Sequence, residues 1–96
     1  MPTIIGLCTV KLYLPGTHSL KEKRGILKSM LARMHNTFNV SAAEVDHHDV
    51  WQTASIAFVL VGTSPVHVNQ VLQNVLEWIE THFPDAPITH YETEIL

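Results

Sequence analysis

The sequence predicts an α+β domain, a four-stranded antiparallel sheet with two helices on one face. Three observations predict it. Period-two alternation marks strands at the start, middle and end of the chain. Two segments of helical period lie between them, each opened by a serine at a capping position. Each helix carries one apolar arc, so both are expected to cover the same sheet face. The order is β-α-β-β-α-β, and right-handed crossovers then favour the split βαβ, ferredoxin-like arrangement.

Thr3 to Leu14 alternates, with Ile4, Cys8, Val10, Leu12 and Leu14 on the expected core face. Lys11 on the other face argues against burial there. Pro15-Gly16 ends the strand. Ser19 is an N-cap, and Glu22 three residues on completes a capping box. Leu20, Leu27, Met30, Leu31 and Met34 share one arc of this helix, which is expected to end near His35-Asn36. Gly25 is a weak point in its interior. Phe38 to Val45 reads as a second strand, Asp46-His47-His48-Asp49 as a polar hairpin, and Val50 or Trp51 to Val61 as a third strand. Ser64-Pro65 opens the second helix, whose arc runs from Val68 through Leu72, Val75 and Ile79 to Phe83. His82-Phe83-Pro84 closes it, and Ile88 to Ile95 is the last strand. The uncovered sheet face is expected to show Leu7, Thr9, Lys11, Tyr13, Trp51, Thr53, Ser55, Ala57 and Val59. A part-apolar face of that kind calls for a partner. A second copy of the chain is expected, through the open sheet face or a strand edge.

Ninety-six residues, 46% of them hydrophobic, are expected to form one domain over 1–96. No apolar run reaches the ~18 residues that span a bilayer, so no membrane is expected. The features of a secretory leader are not evident. Cys8 is the single cysteine, which excludes an internal disulfide and a multi-thiolate zinc site. The cytoplasm is the expected compartment. The net charge of -3 hides an asymmetry. All six Lys and Arg precede residue 34, together with one acid, Glu22, and eight acids follow. Either the fold brings the two sets together as surface pairs, or a basic helix face meets an anion.

Ser19-Leu20-Lys21-Glu22-Lys23-Arg24, Leu27-Lys28-Ser29, Phe38-Asn39-Val40-Ser41, Ala43-Glu44-Val45 and Trp51-Gln52 recur in order at a spacing that resembles the YlxP-like family of small bacterial proteins. The resemblance runs from the first strand to Glu94-Ile95-Leu96. It implies a ferredoxin-like fold and a bacterial cytoplasmic protein. It carries over no catalytic residue, because the family has no established activity. Relatives sit near genes for translation factors and ribosome maturation, an associational pointer to RNA. Gly25 departs from the larger, often basic residue of relatives.

Lys21, Arg24 and Lys28 fall at i, i+3 and i+7 on one flank and form the candidate binding stripe, with Lys23 as a further candidate beside them. Such a stripe can neutralise a nucleic-acid backbone, although a pI near 6.1 is low for that role. Adjacent histidines in Asp46-His47-His48-Asp49 rarely reach one tetrahedral ion, so no metal is expected. Cys8 reads as a packed thiol, and Trp51 as a packing or dimer contact. Asn39, Ser41, Glu44 and Gln52 read as hairpin polar residues. No P-loop, dinucleotide fingerprint or hydrolase triad is present, so no cofactor is expected. The expected function is therefore non-enzymatic binding, RNA- or ribosome-associated. The alternative is a dimeric ligand-binding or regulatory module.

Overall fold

The first strand, β1 (Ile4–Tyr13), is the one around which the sheet is built. It occupies an interior position, and the order across the sheet is β2-β3-β1-β4. The computed structural model describes residues 2–47 and 50–96. Its elements follow as α1 (Leu20–Thr37), β2 (Ser41–Asp46), β3 (Thr53–Gly62), α2 (Pro65–His82) and β4 (Ile88–Ile95). All three ladders are antiparallel. This is the ferredoxin-like βαββαβ fold, as expected.

The alternation of β1 sets the core. Cys8, Val10, Leu12 and Leu14 are buried, as are Ala54, Ile56, Phe58 and Leu60 on the same face of β3. The register runs unbroken from Ile4 opposite Gly62 to Tyr13 opposite Thr53. One phase therefore orders the whole central pair. From α1, Leu27, Met30 and Met34 close over this face, and from α2 Val68, Leu72, Val75, Leu76 and Ile79 do so. α1 lies over β2, and α2 lies over β1, β3 and β4. Leu20 and Leu31, expected in the α1 arc, are only partly buried.

Three boundaries differ from the sequence reading. α1 continues to Thr37, because Phe38 N–H bonds Met34 O at 2.9 Å as the helix C-cap. Phe38 therefore does not start a strand. Its ring meets Trp78 edge-on at 5.9 Å. Trp51 precedes β3 and is 53% exposed. Ser55 belongs to the open face by register but is buried, because His47 covers it. Of the expected hairpin, His48 and Asp49 lie outside the described residues.

α2 approaches the sheet closely at two glycines. A Cβ on Gly6 would come within 2.4 Å of Val68 Cγ1, and one on Gly62 within 2.6 Å of Val68 Cγ2. A valine methyl sits on a short, stiff stem and cannot swing aside. Gly6→Ala and Gly62→Ala should each destabilise the fold by ~1–3 kcal/mol. Gly25→Ala meets nothing within 4 Å and should stabilise by about 0.5–1 kcal/mol through helix propensity. Urea denaturation of the three variants checks both signs.

Candidate functional site

The candidate site is built on the first two turns of α1. Ser19 Oγ accepts from Glu22 N–H at 3.1 Å, and Glu22 Oε2 accepts from His18 N–H at 2.9 Å. This is a capping box in which the carboxylate reaches one residue further back than the expected N-cap amide. The cap fixes the phase of every side chain that follows.

That phase separates the four cations. Lys21, Arg24 and Lys28 point to solvent on one flank. Lys23 does not join them. It lies in phase with Leu27, Met30 and Met34 and is fully buried. Its Nζ donates to the carbonyls of His47 and of Val50, the latter at 2.8 Å, and stands 3.1 Å from Glu44 Oε2. Three acceptors thus meet three ammonium hydrogens. Lys23 is therefore removed from the binding stripe. It ties α1 to the β2–β3 hairpin.

The hairpin is shaped around this ammonium. Glu44 pairs with Ile56 as Ala42 does with Phe58, so it lies on the helix-side face that Lys23 enters, and the β2–β3 ladder shifts register just beyond it, between Glu44 and Asp46. His47 adopts φ 60, the left-handed region. Its carbonyl accepts from Val50 N–H at 3.1 Å as well as from Lys23. Its ring Nδ1 lies 2.8 Å from Ser55 Oγ on the open face. Glu44 is thus an ion-pair partner, not a ligand-facing residue. Gln52 Nε2 reaches Pro15 O at 3.5 Å, and its carbonyl accepts from Leu14 N–H at 2.8 Å. Both bonds join the hairpin to the β1–α1 turn. Asn39 and Ser41 are exposed.

Among the described residues, no carboxylate comes within ion-pair distance of Lys21, Arg24 or Lys28. Among the same residues, no group of three or more His, Cys, Asp or Glu is placed to hold a metal. Cys8 is buried, and burial pushes its thiol up to about 11. The nucleophilic thiolate is therefore suppressed at neutral pH.

Sequence reasoning missed an aromatic cluster where α1 meets the end of α2. Arg33 lies 4.9 Å from the Phe83 ring and 5.8 Å from Trp78, and Trp78 stacks on His82 at 5.1 Å. Arg33 is therefore committed to a cation–π contact and stands apart from the stripe. Beside this cluster, a cleft of about 600 Å³ opens between α1 and the α2–β4 loop, lined by Gly25, Ile26, Phe83 and Asp85 among others. The signal available for Arg33 was its phase, on the arc of Glu22, Ile26 and Ser29 that faces this cleft.

Fold and site define a small ferredoxin-like domain with an exposed cationic helix flank and a buried lysine lock. Residues 5–93 match the family described as a protein of unknown function, DUF503, and the chain belongs to that family. It is similar to the uncharacterized protein YlxP of Bacillus subtilis (strain 168). The two are 38% identical over 91 residues, covering 95% of this chain and 98% of the relative. Among the described residues, no helix is long and apolar enough to cross a membrane.

Removing the Lys23 ammonium takes a donor from two hairpin carbonyls and the ion-pair partner at 3.1 Å from a part-buried carboxylate. Lys23→Met should destabilise by about 3 kcal/mol or more, and Lys21→Met by well under 1 kcal/mol. Chemical denaturation of the two variants side by side makes the comparison. Equal, small losses would mean that the lock contributes little.

Proposed function

We propose that this chain is a non-enzymatic binding protein of the bacterial cytoplasm that holds the phosphate backbone of RNA, ribosomal RNA included, on Lys21, Arg24 and Lys28. The observation that carries the reading is the exposure of three cations on one flank with no carboxylate beside them among the described residues. Fold stability does not account for them. Lys21 sits in the first turn of α1, at its positive dipole end, where a cation is unfavourable. Neighbouring like charges at i, i+3 and i+7 add repulsion. A bound polyanion relieves both costs. The pI of about 6.1 then favours selective contact through one patch over indiscriminate adhesion.

Three phosphate contacts on single-stranded RNA predict a slope of about -2 in log affinity against log salt. Lys21→Ala/Arg24→Ala/Lys28→Ala should flatten that slope and abolish binding while leaving the melting temperature unchanged or higher. Filter binding to ribosomal RNA fragments and to ribosomal subunits, with a parallel thermal melt, tests both halves. Absence of binding by the unaltered protein at low salt would remove the reading.

A second reading, a dimeric ligand-binding or regulatory module, is favoured by the open sheet face. Leu7, Ala57 and Val59 lie there in adjacent register positions and are only partly buried. A monomer at every concentration, with no ligand-induced rise in melting temperature across a metabolite panel, would count against it.

A further inference from the structure

The two edges of the sheet are treated differently. β2 has six residues, a bulge, and His35 Nε2 accepting from Ala42 N–H at 3.1 Å. That imidazole occupies a donor that a docking strand would need. β4 has a register shift only at its start, where Lys11 and Leu12 of β1 face His90 and Ile88. It runs regularly from His90 opposite Lys11 to Ile95 opposite Gly6, and contains no proline. Leu96 N–H bonds Ile5 O at 2.8 Å across the same ladder. By the alternation of an antiparallel pair, residues 90, 92 and 94 then turn their backbone groups toward β1. The N–H and C=O groups of Tyr91, Thr93 and Ile95 point off the edge. The side chains of these three share the helix-side face, yet Tyr91 is 47% and Ile95 41% exposed. An open edge with half-covered apolar side chains is a template for another strand.

The side chains select that strand. We propose that β4 pairs antiparallel with β4 of a second copy of this chain, about a two-fold axis at Tyr91. Antiparallel pairs keep side chains on matching faces only when the axis passes through a residue position. An axis at Glu92 or Glu94 sets a carboxylate on itself. An axis at Thr93 sets Glu92 against Glu94, and one at His90 sets imidazole against imidazole. Like charges directly opposite are unfavourable. At Tyr91, His90 of each copy faces Glu92 of the other, twice, and the two tyrosine rings meet. His90 and Glu92 are already chemically matched within one chain, Nε2 to Oε1 at 3.2 Å. The axis stands perpendicular to the sheet, so both α1 helices lie on the same side of an eight-stranded sheet. Their cationic flanks are then separated by about seven strand spacings, roughly 34 Å. This assembly deepens the dimeric reading and is independent of the RNA reading, to which it would add a second basic flank.

The interface is short, so a weak, concentration-dependent dimer is expected. Sedimentation velocity across a wide protein concentration range tests it. Thr93→Pro should give a folded monomer, because the amide it removes points off the edge. His90→Glu and Glu92→Lys should each weaken association about tenfold, and the double variant should restore it. The charge swap carries the test if the proline variant fails to fold. Leu7→Asp on the open face should leave the dimer intact. A monomer throughout overturns both this assembly and the dimeric reading. A dimer that survives Thr93→Pro and the single charge changes but is lost in Leu7→Asp overturns the edge pairing alone.

Discussion

The structure depends on the buried ammonium of Lys23. Taking a charge out of water costs several kcal/mol unless its hydrogens are matched. Here the His47 and Val50 carbonyls and Glu44 match them in one geometry. The constraint propagates outward. The pairing of Glu44 with Ile56 puts its carboxylate on the helix side, and the positive φ of His47 accompanies a carbonyl turned inward to Lys23. The ring of His47 is then left over Ser55 on the opposite face. β2 is an edge strand with a single neighbour, so this lysine supplies much of what fixes its free end. A cation near the helix N-terminus is unfavourable by the dipole. The Glu44 carboxylate offsets that here, which none of the three solvent-facing cations enjoys.

Much of the fold was legible in the sequence because it rests on period and phase. The even-numbered residues of β1 and β3, the serine caps and the apolar arc of α2 each state their environment locally. The site was legible in part. Lys21, Arg24 and Lys28 share a flank, as their spacing requires. Lys23 was misread because a lysine counts as polar in an amphipathic pattern. Its phase told otherwise, since it stands four, seven and eleven residues before Leu27, Met30 and Met34. A long apolar stem lets lysine occupy a core position when its tip finds acceptors. Those acceptors lie 21 to 27 residues away, across a hairpin whose register no local rule supplies. Phe38 failed for a related reason. Its aromatic character suggests a strand, but its tertiary partner Trp78 holds it as a cap.

The same topology answers the question raised by the charge asymmetry. With the order β2-β3-β1-β4 and α1 over β2, the cations of α1 stand at one side of the sheet. Glu92 and Glu94 stand on β4 at the other. Three strand spacings, about 14 Å, separate the two edges, against a Debye length of ~8 Å at physiological salt. Apart from the Lys23–Glu44 pair, the described residues show no ion pair between the two halves of the sequence. The solvent-facing cations of α1 thus stand on the side of the β2 edge, and Glu92 and Glu94 on the open β4 edge. In the proposed self-association Glu92 of each copy meets His90 of the other, so the charge pattern restricts how copies can join. A polyanion of the proposed kind would be disfavoured by the glutamates of β4 and favoured at α1. The two proposals thus place different partners at opposite sides of the molecule.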